Sequence, residues 1–185
     1  LGMIITTPEH TSTMNMLAFL KLFAFRVIER SLPKNTFLNE KLRESYNRSV
    51  MEEVLTVRVL LDGISTIDSD VAQNAEQNWT RYRPRIIFNK CKMPDELDIL
   101  PALENTLDQN LLLRCDFFGC LFSDPAVSIT FQQRKTLNTV SPNCDILEDI
   151  NLLADRINRL WKQPIANSAN LLQNNAVKLF EKRHA

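Results

Sequence analysis

Glycine is scarce in this chain. Only Gly2, Gly63 and Gly119 occur among 185 residues, too far apart to build a phosphate cradle. Such a loop needs several glycines, because backbone N–H groups must approach the phosphates where a Cβ would clash, and it runs on into Lys and Ser/Thr. Phosphate chemistry by this chain alone is therefore not expected. Paired-cysteine motifs are missing as well. Cys91, Cys115, Cys120 and Cys144 form no C-x-x-C pair, and the odd separation of Cys115 and Cys120 puts them on opposite faces of a strand. That spacing argues against a metal site or disulfide framework and for free thiols in a reducing cytoplasm. Nor does one sign of charge prevail. The 22 basic and 22 acidic residues cancel, so nothing global draws the chain to nucleic acid or a membrane. No signal peptide is visible, and the strand-like run at the very start leads us to expect further sequence before it.

What is present is an alternation of strand and helix patterns. The length suits one domain with a sizeable core, and 44% hydrophobic with 24% charged residues is ordinary for a globular protein. Leu1 to Thr7 is a short apolar run ending at Pro8, the pattern of a buried parallel strand. Thr11 or Ser12 is expected to cap a helix whose apolar body, Met14 to Ile28, is too short and too polar to span a bilayer. Pro33 ends it. A long helix is expected from about Asn39 to Leu61, with Leu42, Tyr46, Val50, Val54, Val57 and Leu61 on one stripe and Gly63 as its terminator. Asp68 or Ser69 caps a shorter helix through Trp79.

Arg85 to Lys90 reads as the next strand, and Pro94 and Asp95 open a helix through about Gln109. Cys115 to Phe122 is a third strand, too apolar for a solvated face. Asp124-Pro125 starts another helix, and Pro142 and Asn143 introduce one from about Asp145 to Trp161, with Ile146, Ile150, Leu153, Ile157 and Leu160 on one side. Strands this apolar, separated by helices, predict an α/β fold with a parallel sheet covered by helices. His10 and His184, at a turn and at the terminus, read as solvated side chains.

Several of these segments carry a family resemblance. Ile4-Ile5-Thr6-Thr7-Pro8-Glu9-His10-Thr11-Ser12 resembles the strand-and-turn signature V-T-T-P-E-P-T-S of the MinD/ParA class of P-loop ATPases, most of all its FlhG (FleN) flagellar-number branch. Asn15 through Leu20-Lys21 is similar to the continuation in that branch. Arg85-Ile86-Ile87-Phe88-Asn89-Lys90 resembles the later strand ending in Asn-Arg or Asn-Lys. Phe118-Gly119-Cys120-Leu121-Phe122-Ser123-Asp124-Pro125-Ala126-Val127 is similar to L-G-x-I-P-x-D-x-x-V. Gln133 to Leu137, Pro142 and Leu153-Ala154 fall where the family has its remaining motifs. The match covers most of Leu1 to Trp161, apart from a helical insertion at about 33–83. His10, Met16-Leu17, Phe122 and Ser123 depart from the usual residues, which bears on the details of the base pocket.

The resemblance implies that residues 1–165 are the carboxyl-terminal part of a MinD/ParA-like ATPase domain and that 166–185 form a terminal helix or tail. It implies ATP as cofactor, with Mg only where an amino-terminal half supplies the phosphate loop, the metal-binding acids and the catalytic switch. This chain would hold the adenine side of the site. Asn89 would lie against the base, where a side-chain amide donates and accepts together. Lys90 adjoins it, and Ser123 and Asp124 would contribute backbone groups from the next strand's turn, both pairs at carboxyl ends of strands. Read without the family, Asn89 is a strand-end amide satisfying a loop backbone, and Asp124 is first of all an N-cap. No catalytic residue and no metal ligand is assigned, and the chain alone is expected to be inactive.

The family further implies a cytoplasmic homodimer acting with a protein partner to position a flagellum or division site. Leu171, Leu172, Val177, Leu179 and Phe180 with Lys178, Lys182 and Arg183 form an amphipathic pattern, and such terminal helices in MinD-like proteins lie in the membrane interface. Glu181 and the many asparagines weigh against that reading, and a packed terminal helix is the other one. The alternative function is a stand-alone, non-enzymatic interaction module on a degenerate nucleotide-binding fold, presenting the Asn39 to Leu61 helix to a partner. In either case the first strand is expected to leave an unpaired apolar edge prone to association.

Overall fold

The computed structural model describes residues 2–34, 36–51 and 56–184. The described elements run β1 (Met3–Thr6), α1 (His10–Ser31), α2 (Thr36–Met51), α3 (Val57–Ser65), α4 (Ser69–Thr80), β2 (Arg85–Cys91), α5 (Leu100–Leu111), β3 (Asp116–Phe122), α6 (Pro125–Gln133), α7 (Leu137–Val140), α8 (Asp145–Leu160) and α9 (Ser168–His184), with a 3-10 turn at Pro94–Leu97. The architecture is α/β, a three-stranded parallel sheet flanked by helices. The chain divides into two compact units. A helical unit comprises Met14–Arg83 and Ala102–Cys115, and a sheet unit comprises Gly2–Thr13, Pro84–Pro101 and the chain from Asp116 on.

In the helical unit, Leu20, Ala24 and Ile28 recur every four residues of α1 and are fully buried, the spacing that keeps one helix face on a core. Trp79 of α4 is also fully buried. Its indole N–H donates to the Leu111 carbonyl, and Phe23 and Tyr82 pack around the ring. Helix α1 begins at His10, so Thr11 and Ser12 lie within its first turn and do not cap it. It is also longer than the apolar body read from the sequence. At 22 residues, with mean hydropathy 1.2 over its best window, it is long and apolar enough to cross a membrane by length and composition.

The long helix expected from Asn39 to Leu61 is two helices. Thr56 is extended, and its Oγ1 accepts the Val59 N–H at 3.2 Å. A hydroxyl that can cap a new first turn competes with continuing the old helix. Leu42, Val57 and Leu61 of the expected stripe are buried; Val54 and the Val50 side chain lie outside the described residues, as does Leu1 of the first strand. Gly63 does not end α3, which continues to Ser65. A Cβ there would sit 3.2 Å from Ser45 Oγ, so this glycine lets α2 and α3 approach. Asp68 caps α4 as expected, accepting the Asp70 and Val71 N–H groups at 3.1 and 3.0 Å.

In the sheet unit the order is β1-β2-β3, all parallel, with Ile4 opposite Ile86 and Ile86 opposite Phe117. Ile86, Ile87 and Phe88 are consecutive and all buried, as a central parallel strand covered on both faces requires. The two edges differ. Among the described residues β1 pairs only with β2, and Ile5 is 63% exposed. The β3 edge is closed by side chains from α8 and α9. Ser168 Oγ accepts the Phe117 N–H at 3.0 Å and Asp149 Oδ2 accepts the Phe122 N–H at 3.0 Å.

Asp149 is buried, and Arg183 from the last turn of α9 grips both its oxygens, at 2.7 and 3.3 Å. Burial works against the Arg183 charge, but the hydrogen bond to Asp149 and the charges of Asp149 and Asp145 outweigh it and raise the guanidinium above its ordinary value. Here the expected α8 stripe needs correction. The buried positions are Ile146 and Asp149, while Ile150 is 39% exposed. The segment from Pro94 is likewise corrected: a 3-10 turn, with Glu96 accepting the Lys92 N–H at 2.6 Å, precedes α5. At the other end of the strand, the Arg85 guanidinium lies 5.0 Å from the Trp161 ring centre.

Breaking a buried ion pair from one side leaves an uncompensated charge. Asp149→Ala is therefore expected to cost about 3–5 kcal/mol in urea unfolding, and the double variant Asp149→Ala/Arg183→Met is expected to recover part of that loss. In the helical unit, burial works against ionising Glu29, but hydrogen bonds from Arg43 and Arg26, 2.9 Å each, prevail and hold its carboxyl below the ordinary 4.5. The stability these pairs supply is present above pH 4.5 and is lost as pH falls through the lowered value. Unfolding free energies of the native chain and of Glu29→Gln are thus expected to differ at pH 7 and to converge in acid.

Candidate functional site

The residues singled out from the sequence gather at the carboxyl ends of two adjacent strands. Asn89 is half-buried near the end of β2, and its Oδ1 accepts the Lys90 N–H at 2.9 Å. Lys90 is exposed and has a left-handed backbone, φ 59°. The pairing with β3 is irregular between Phe88 and Cys91, so Asn89 and Lys90 form a bulge that turns the strand end away from regular pairing. The Asn89 amide NH2 makes no hydrogen bond among the described residues and remains a donor.

Ser123 follows β3. Its side chain is exposed, and its N–H donates to the Cys91 carbonyl at 2.7 Å. That bond ties the loop after β3 to the end of β2. Asp124 is half-buried and fully engaged. One carboxylate oxygen accepts the Ala126 N–H at 2.7 Å as the N-cap of α6, and the other accepts the Ile146 N–H at 3.1 Å at the start of α8. Its carboxylate therefore positions two helices, each oxygen holding one backbone N–H. The four residues are thus brought to one end of the sheet. Asn89 offers a side-chain donor, Ser123 a hydroxyl and Lys90 a charge.

Cys91, Cys120 and Cys144 are free thiols. A hydrogen bond with Cys120, and burial, push the Cys91 thiol up from its ordinary value, which makes it a poor nucleophile. In the terminal helix, Leu172 and Ala176 are buried, Leu171 is 45% exposed, and Lys182 and Arg183 pair with acids of α8.

The Asp149–Arg183 pair and Ser168 went unnoticed in the sequence. The available signal was an acid at Asp149, three residues after the buried Ile146 and four before Leu153, in the middle of an apolar helix face. No family model, curated protein or solved structure matches the chain.

Asp124→Ala would leave two backbone N–H groups without their acceptor. It is expected to lower unfolding free energy by about 1–3 kcal/mol, with Asp124→Asn losing less, as read by thermal or urea denaturation.

Proposed function

We propose that this chain is the carboxyl-terminal, base-facing portion of a MinD/ParA-class P-loop ATPase of the FlhG (FleN) type. In this reading it binds the adenine of ATP and works in a dimeric, cytoplasmic system that positions a flagellum or division site. The observation that carries the reading is the bond from the Ser123 N–H to the Cys91 carbonyl. It joins the two loops that the sequence motifs mark, at the carboxyl ends of neighbouring parallel strands, where open α/β sheets bind ligands. The outer edge of β1, which pairs only with β2 among the described residues, offers the border that the phosphate-loop half would occupy. Magnesium and phosphate would be held by that half, since no glycine-rich loop exists here.

Adenine recognition without a phosphate grip has a distinctive signature. Adenosine and ATP are expected to bind the full chain with similar, weak affinity, to shift the same amide signals around Asn89, Lys90 and Ser123 in NMR titrations, and to ignore magnesium. Asn89→Ala is expected to weaken both ligands roughly two- to tenfold, the worth of one hydrogen bond. Tight magnesium-dependent ATP binding would contradict the proposal. Absence of any adenosine response at these amides would leave the interaction-module reading in its place.

A further inference from the structure

The closed edge of the sheet leaves a space unrelated to the strand ends. Between β3, α8 and α9 lies a cavity of about 500 Å³, within the size range of small-molecule sites. Its walls are mostly apolar, with Phe118 from β3, Leu153 from α8, and Leu172 and Leu179 from α9. Two cations break that lining, Arg156 and Arg159.

Arg156 is the unusual one. Its guanidinium stands 5.6 Å from the Phe118 ring centre, and its buried Nε has no hydrogen-bond partner. It has no ion pair among the described residues. The acid that shares the cavity wall, Asp149, is already taken by Arg183 and the Phe122 N–H. Burial pushes the Arg156 pKa down from its ordinary value, with only partial relief from Asp116 and Cys120. A half-buried guanidinium held over an aromatic face, with no acid paired to it among the described residues, is a favourable partner for a carboxylate.

We propose that this cavity binds an anionic amphiphile, a molecule with an apolar chain and a carboxylate head, the head on Arg156 and the chain among Leu153, Leu172 and Leu179. A carboxylate matches the planar guanidinium fork through two parallel hydrogen bonds. The apolar walls supply the rest by burying the chain.

Decanoate below its micelle concentration is the probe, titrated calorimetrically into the full chain, with decanol and acetate as controls. Decanoate is expected to bind saturably at one site. Decanol, lacking the charge, and Arg156→Met, which keeps the stem against Phe118, are each expected to weaken binding by roughly tenfold or more. Acetate is expected to give no measurable binding. Ala176→Phe, which fills the cavity from α9, is expected to abolish decanoate binding while far-ultraviolet circular dichroism stays native-like. No saturable decanoate binding, equal affinity for decanol, or an unchanged affinity in a folded Arg156→Met variant would each overturn the proposal.

Discussion

Asp149 is a buried carboxylate on the face of α8 that meets β3, and each of its oxygens is occupied. One function is to accept a strand N–H that would otherwise be buried without a partner at the edge of the sheet. The other is to balance Arg183, whose side chain is only 8% exposed. Neither half is stable alone. A lone buried N–H and a lone buried guanidinium each carry a desolvation cost, and the carboxylate offsets both at once. Through this arrangement α8 is fixed against β3 and the last turn of α9 is fixed against α8. The cavity lies between the three elements joined in this way.

The sheet therefore treats its two borders in opposite ways. On the β3 side, side-chain acceptors on covering helices replace the missing strand. On the β1 side nothing described replaces it, and Met3 and Ile5 stay exposed. A parallel edge rich in apolar side chains is what a neighbouring strand would be expected to cover. The proposed partnership with a phosphate-binding half uses this border. The proposed amphiphile site uses the other, so the two readings stand on different parts of the sheet unit.

Much of the fold was legible because its signals are local. Strands of consecutive buried residues, such as Ile86 to Phe88, have few alternatives, and Asp68 and Asp124 announce helix starts through short side chains placed before a first turn. The misreadings arose where several local options have similar energies. The apolar spacing from Leu42 to Leu61 continues smoothly through Thr56, and only the Thr56 cap reveals two helices. Gly63 looked like a terminator because glycine usually ends helices, yet here it serves a close helix contact with Ser45. On α8 the hydrophobic pattern favoured Ile150 over Asp149, because periodicity counts apolar residues and cannot see that a partner 34 residues away, Arg183, makes an acid acceptable in the interior. At the candidate site the sequence located the residues at the strand ends. It could not show that the Asp124 carboxylate is consumed by two backbone donors from different helices.

The chain holds two tryptophans, and they divide between the units. Trp79 is sealed in the helical unit with its indole N–H on a carbonyl, whereas Trp161 is half-buried in the sheet unit beneath the Arg85 guanidinium. Their emission should differ in wavelength and in accessibility to aqueous quenchers. The molecule thus contains its own pair of native fluorescent labels, one for each unit, and removing either by a Phe replacement isolates the optical signal of the other.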